Sequence, residues 1–189
     1  MKLVPIIVIY YLGKVLDYKM KTLQWRDYDL SLDKEIDSWI LPSYSKNAQL
    51  INRYAFFNEP ASVQYEWYKT HPFEMSNIAD YFKVVELDHM IIALLILNYF
   101  KDDNGRLVLG INPIAVNPNL INQGYGTLIL SDLIANTKVV TGCEVDVIYA
   151  GIDEKNSIST KLFSKFGFKE VGRSEDKEFL YFELNRSIG

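Results

Sequence analysis

Residues 107–137 constrain this chain more than any other stretch. Residues 107–116 form an apolar run of strand length, and Asn117-Pro118 stops it. After a short turn, Gly124-Tyr125-Gly126 opens a segment in which Leu130, Leu133, Ile134 and Thr137 recur at helical spacing. Glycine lets backbone approach a ligand closely. The first amides of a helix have no partner inside it, so they can gather round an anion. The amides of Gln123, Gly124, Tyr125, Gly126 and Thr127 are therefore a candidate phosphate cradle. A Gly-x-Gly pair alone is common in ordinary turns; its position between strand and helix gives it weight.

The segments on either side suggest a meander. Residues 81–87 and 90–100 read as strands with Asp88-His89 as a two-residue turn. Asn104-Gly105 is a strong hairpin signal before the run at 107. Upstream, residues 22–28 read as a short strand. Asp29 is a candidate N-cap for a helix burying Leu32, Ile36, Trp39 and Ile40. A second helix is expected after Asn58-Glu59-Pro60, burying Val63 and Trp67. Downstream, residues 144–150 read as a strand and Asn156 as the N-cap of a helix burying Ile158, Leu162, Phe163 and Phe166. Gly167 stops that helix, and residues 168–172 and 178–184 form a closing hairpin.

Composition narrows the function classes. The 189 residues suit one domain, and 49% hydrophobic with 23% charged residues at net charge −4 is ordinary globular composition. No Lys/Arg stripe suggests a nucleic-acid partner. The single Cys143 can form no internal disulfide, and no metal-ligand spacing occurs, so no metal is expected. The apolar stretch 3–12 is too short to span a bilayer as a helix, which needs about 20 residues, so no membrane partner is expected. Residues 1–20 are set apart as an N-terminal extension. It reads as an accessory strand, a subunit contact in a homodimer, or a mis-assigned start ahead of Met20.

Two spaced motifs resemble the GCN5-related N-acetyltransferase (GNAT) family. Val116, Pro118, Gly124 and Gly126 match its pyrophosphate-loop spacing, and Asn156, Phe163, Lys165, Gly167 and Phe168 match its later Asn–helix–Gly-Phe signature. The resemblance covers about residues 23–185. It implies an α/β (α+β) acyl-CoA N-acyltransferase fold over residues 21–189, with a mixed, largely antiparallel sheet of six or seven strands flanked by helices. It implies acetyl-CoA as cosubstrate and direct acetyl transfer to a primary amine of a small molecule or peptide, in the cytoplasm. A family-like protein that only binds a CoA compound or a protein partner would share these features.

The resemblance assigns cofactor contacts to Ile114, Ala115 and Val116 on the strand, to Gln123, Gly124, Tyr125, Gly126 and Thr127 in the loop, and to Asn156 and Phe163. Two departures stand out. The family's basic or amide residue is Ile121 here, and the next glycine is Asn122. Phe163 replaces a tyrosine that resembles a general acid. An attacking amine must be neutral, so a base is wanted. Glu86, His89 and Asn117 are the catalytic candidates, with Asp88, Glu144, Asp146, Asn112 and His71 as further polar positions. Solvated strand ends or a surface position explain Glu86, Asp88, Glu144 and His71 better than chemistry does, and a turn or capping role explains His89, Asn112 and Asn117 equally well. An aromatic acceptor wall is expected from Tyr54, Phe56, Phe57, Tyr65, Trp67, Tyr68 and His71, with Glu59, Glu66 and Glu74 attracting a cationic amine.

Overall fold

The computed structural model describes residues 22–45, 48–56, 58–70 and 80–186. The extension 1–20 lies outside them, as do Phe57, His71 and Glu74. Among the described residues, one seven-stranded sheet contains β1 (Gln24–Asp27), β2 (Asp80–Leu87), β3 (Met90–Lys101), β4 (Leu107–Val116), β5 (Val147–Asp153), β6 (Lys169–Arg173) and β7 (Phe179–Asn185). The spatial order is β1-β2-β3-β4-β5-β7-β6, and only β4 and β5 run parallel. Four α-helices flank it: α1 (Ala61–Thr70), α2 (Tyr125–Ala135), α3 (Thr137–Thr141) and α4 (Ser157–Lys165). This is the expected mixed, largely antiparallel α/β architecture.

The meander follows from its turns. Asp88 and His89 both take left-handed φ values, 51° and 64°, as a two-residue hairpin with right-handed strand twist requires. The β3–β4 turn is held by Asp102, whose Oδ1 accepts from the amides of Asn104 (3.0 Å) and Arg106 (2.9 Å), with Gly105 at φ +77°.

Side-chain alternation makes two cores, one on each sheet face. Leu95, Leu97, Leu109, Ile148 and Ala150 face α2 and α4, which contribute Ile129, Leu130, Leu133 and Phe163. Phe82, Val84, Leu94, Ile96 and Ala115 face the other way. They are covered by a 3-10 helix (Lys34–Trp39), a π-helical turn (Gln49–Arg53) and α1. At β4 the alternation slips. Leu95 pairs with Ile114 but Leu97 pairs with Ile111, so Ile96 alone faces Asn112 and Pro113. This bulge is where β4 can carry a proline, which has no N–H for the ladder.

Five sequence expectations are corrected. Asp29 does not start a helix: its Oδ1 accepts from the amides of Ser31 (2.7 Å) and Leu32 (3.3 Å), making a turn that leaves Leu32 72% exposed. The 3-10 helix begins later and buries Ile36 and Trp39. In α1, Val63 and Trp67 are exposed, while Ala61 and Gln64 are buried. Gln64 faces inward, where its Nε2 donates to the carbonyls of Phe56 (2.8 Å) and Glu59 (2.9 Å); the Phe56 carbonyl also accepts from the Glu59 amide (2.9 Å). The fifth strand runs Val147–Asp153 rather than 144–150, because the Asp146 side chain takes the Leu107 amide (2.7 Å) in place of a ladder bond. The helix after Gly124 breaks at Asn136 and resumes as α3, and Ile158 on α4 is exposed.

A buried ionic junction fixes the β1 edge. Arg26 donates Nη1 and Nη2 to Asp33 (2.8 and 2.6 Å) and Nε to Glu86 (2.7 Å); Asp33 is fully buried and also accepts from the Asp29 amide (2.7 Å). The paired bonds to Asp33 are the main reason the guanidinium is held well above its ordinary range. Removing one partner of a buried pair costs about 3–5 kcal/mol, less where the other partner keeps water access as Arg26 does. Asp33→Ala is expected to destabilise the fold by about 3 kcal/mol and lower the melting midpoint by about 10 °C. Thermal denaturation followed by circular dichroism checks this; an unchanged midpoint would show that the junction carries no stability.

Candidate functional site

The parallel ladder between β4 and β5 is short. It pairs Val108–Ile111 with Val147–Ala150 and stops at the β4 bulge. Beyond it the strands part. The β4 edge from Asn112 to Val116 has no strand partner on that side among the described residues, and neither does the β5 edge beyond Ala150 facing it. A cleft of about 880 Å³ occupies the gap. Its walls come from Ile111–Ile114 and Val116 of β4, the start of α2, Tyr149–Asp153 of β5, the outer part of α4, and Phe179 and Tyr181 of β7. Arg53, Tyr54 and Asn58 close it from the other sheet face.

The start of α2 is built as a donor cradle. Gly124 is the N-cap at φ +87°, a conformation that costs a side-chain-bearing residue about 1 kcal/mol or more, and it makes no side-chain cap. The first amide bonded back to it is that of Leu128 (3.1 Å). The amides of Tyr125, Gly126 and Thr127 precede that bond and are orphaned by helix geometry. Gly124 through Thr127 all line the cleft. A Cβ on Gly126 would sit 3.6 Å from Leu162 and 4.0 Å from Val116, so the backbone there lies directly between helix and strand walls.

The two departures in this loop have structural explanations. Asn122 sits at φ +64°, a left-handed position that asparagine tolerates and where glycine would otherwise serve. Ile121 is partly buried against the second core, so its side chain anchors the loop.

Most of the expected contact residues come together here. Ile114, Val116, Gly124, Tyr125, Gly126, Thr127, Asn156 and Phe163 line the cleft; Ala115 and Gln123 do not. Ala115 is fully buried in the second core, and the Gln123 side chain donates to the Asn119 carbonyl (3.0 Å). Asn156 is largely buried, and its Oδ1 accepts from the Ser159 amide (3.2 Å), so it caps α4 as well as lining the cleft. Phe163 packs edge-on against Phe168 at 4.9 Å.

The three catalytic candidates lie elsewhere. Glu86 is engaged by Arg26, and His89 is exposed in the β2–β3 turn. Asn117 extends the β4 end onto β3: its Nδ2 donates to Ile91 O (3.2 Å), its amide donates to Ile92 O (2.9 Å), and its Oδ1 accepts from the Asn119 amide (3.0 Å). None of the three lines the cleft. Of the described residues expected to form an aromatic wall, only Tyr54 does so. Phe56 meets Trp39 in the core, and Tyr65 and Tyr68 pack on Phe82. Glu59 and Glu66 are also absent from the lining.

Sequence reading missed the groups that do reach the cleft: Arg53, Asp153, Lys161, Lys165, Tyr149 and Tyr181. Arg53 lies outside the segments whose pattern reads as strand or helix, and Asp153 lies beyond the strand expected over residues 144–150. Tyr149 and Asp153 share the period-2 face of β5 opposite Ile148, Ala150 and Ile152, which the true strand boundary reveals. Burial, with Tyr181 and Glu183 nearby, pushes the Tyr149 phenol up to about 12, so it keeps its proton throughout the physiological range. Among the described residues no group of His, Cys, Asp and Glu is arranged to hold a metal ion, and no helix is long and apolar enough to cross a membrane.

Known folds share this arrangement. Spermidine N-acetyltransferase from Vibrio cholerae, solved with CoA and spermine, aligns at 17% identity and TM-score 0.59, covering 85% of this chain and 92% of that one. The ribosomal-protein-S18-alanine N-acetyltransferase from Escherichia coli aligns at 15% identity and TM-score 0.55, covering 89% and 96%. An N-acetyltransferase from Staphylococcus aureus Mu50 aligns at 22% identity and TM-score 0.52, covering 87% and 98%. No curated protein sequence matches this chain. The profile of the Acetyltransferase (GNAT) family matches residues 34–168, a span that includes the bulged β4, the uncapped start of α2 and the Asn156 helix, and the chain belongs to that family.

Proposed function

We propose that this protein transfers an acetyl group from acetyl-CoA to a primary amine of a small molecule or peptide, by direct attack of the amine. The observation that carries the reading is the opened β4–β5 ladder, with the uncapped start of α2 at one end of the gap. The residues present fit the cosubstrate. Orphaned amides of Tyr125, Gly126 and Thr127 would hold the pyrophosphate, with Lys161 and Lys165 adding positive charge to the same cleft. The free edges of β4 and β5 offer backbone donors and acceptors to the amide-bearing pantetheine arm, as to an added strand. Acetyl-CoA supplies an activated acyl group as a thioester. Backbone at the Asn112–Pro113 bulge is the place where donors can meet its carbonyl oxygen.

The chain's own proton chemistry is sparse. Phe163 brings no hydroxyl to the cleft, and the only carboxylate among the described lining residues is Asp153, which is paired with Arg53. The remaining proton-bearing side chains are hydroxyls and amines; Tyr149 holds its proton up to about 12. This scarcity favours positioning over side-chain acid–base catalysis. It also favours a second reading, a family member that binds a CoA compound without turnover.

Titration calorimetry with acetyl-CoA is expected to show saturable binding. Gly126→Trp should weaken it by about tenfold or more, equivalent to about 1.4 kcal/mol, with an unchanged melting midpoint, because a large side chain would fill the cleft between Leu162 and Val116. Absence of saturable binding at millimolar ligand would reject the proposal.

Thiol release with a panel of amines separates the two readings. Turnover restricted to one amine class is expected; tight cofactor binding with no acceptor-dependent thiol release would leave binding only. Where turnover occurs, kcat/KM should rise with pH as the amine loses its proton. It should show no descending limb below about pH 10, the ordinary tyrosine range, because Tyr149 stays protonated beyond it. A limb near neutral pH would reveal a catalytic acid outside the groups named here.

A further inference from the structure

The charges that reach the cleft are unevenly available. Among the described lining residues they are Arg53, Asp153, Lys161 and Lys165. The lysines belong to α4, on the face with α2. Arg53 comes from the opposite face, where Ile51 of the same turn packs into the second core. Asp153 is also on that opposite face, since its neighbour Ile152 points into the first core.

Arg53 and Asp153 form an ion pair at 3.1 Å, but its members are not equally free. Asp153 is 8% exposed and both oxygens are occupied: Oδ2 accepts from Arg53, and Oδ1 accepts from the Lys155 amide at 2.9 Å. Arg53 is 44% exposed and, among the described residues, donates only through Nη2. Its guanidinium lies 5.8 Å from the Tyr54 ring centroid, so a carboxylate and an aromatic ring hold it in place. A guanidinium carries five N–H donors in a planar fork that matches a carboxylate. The group that can receive a ligand is thus the cation, and the buried carboxylate serves to orient it.

We infer that Arg53 is the acceptor-specificity residue, taking a carboxylate carried by the acceptor, so that the substrate is an amino acid or peptide with a free carboxylate rather than a polyamine. The inference rests on the acetyl-transfer reading for the acceptor's role, and on the cleft alone for carboxylate binding. A polyamine would meet no open anion on this wall, where the carboxylate of Asp153 is buried and both of its oxygens are occupied.

Calorimetry with matched pairs tests it: glycine against glycinamide, and a lysine-containing dipeptide against its C-terminal amide, on protein alone and on protein saturated with CoA. The acid of each pair is expected to bind about ten- to hundredfold more tightly than its amide, the range of a charge-assisted hydrogen bond. Arg53→Gln/Asp153→Asn, which removes both charges together, should abolish the preference while leaving acetyl-CoA affinity unchanged. Arg53→Lys, which keeps the charge without the fork, should retain only part of it. If the double variant does not fold, the Arg53→Lys comparison decides. Equal binding of acid and amide, a preference that survives the substitutions, tighter binding of spermidine, or no binding of any acid would overturn the inference. Failure of acetyl-CoA to bind the unaltered protein would instead sink the acetyl-transfer reading, with the acid–amide comparison on protein alone still deciding the role of Arg53.

Discussion

Everything at the candidate site depends on where one ladder ends. Among the described residues β4 and β5 are the only parallel neighbours in the sheet, and they share four residue pairs. The extra residue at Asn112–Pro113 bends β4 and increases its local twist. β3 still follows it, because pairing resumes at Leu95 and Ile114, whereas β5 remains paired to β7 throughout its length. The bend is therefore resolved on one side only. An open edge in a sheet is normally a liability, since its unpaired amides and carbonyls invite another strand. Here the opening is walled by α2, α4 and the Gln49–Arg53 turn, which enclose a cleft along the unpaired edges.

The same bulge couples the two cores. By changing the inward face of β4 it lets Ile111 and Ile114, three residues apart, both face α2, and sends Ala115 to the opposite core. The loop after Val116 inherits that geometry. Asn117 hydrogen-bonds to β3, Ile121 packs into the second core, Asn122 turns left-handed, and Gly124 delivers the α2 amides to the cleft. Each of these residues differs in chemistry, yet each fixes backbone direction. A loop set in this way loses little entropy when an anion arrives, which is how preorganisation adds affinity.

Sequence reading recovered the elements with strong local causes. The Asp88-His89 and Asn104-Gly105 turns, the ten-residue β4, the glycine-opened helix and the Asn156 cap all follow from backbone preferences within a few residues. It did less well where tertiary contacts override local pattern. Gln64 is buried with its amide on the carbonyls of Phe56 and Glu59, and Glu86 is engaged by Arg26, a strand away. The loop that opens α2 beside the cleft was legible because its signal is contiguous. The opposite wall of the cleft was not, because Arg53 and Asp153 meet across a separation of 100 residues, and nothing local in either segment announces the partner.

That contrast bears on how the proposed reaction would work. The groups that converge on the cleft are backbone amides, aromatic rings, an oriented cation and apolar side chains; the carboxylates and imidazole that local pattern suggested for proton transfer lie outside it or outside the described residues. Phe163 continues this trend by packing on Phe168 where a hydroxyl would serve an acid. A thioester is already reactive toward a neutral amine, so holding the two reactants in line supplies an advantage that a misplaced base would not. Backbone donors supplement it, since they need no reorganisation when charge develops on a carbonyl oxygen. In such a site selectivity rests less on the reacting atoms than on what holds the rest of the acceptor, and on the face opposite Lys161 and Lys165 the charged side chain with unused donors, among the described residues, is Arg53.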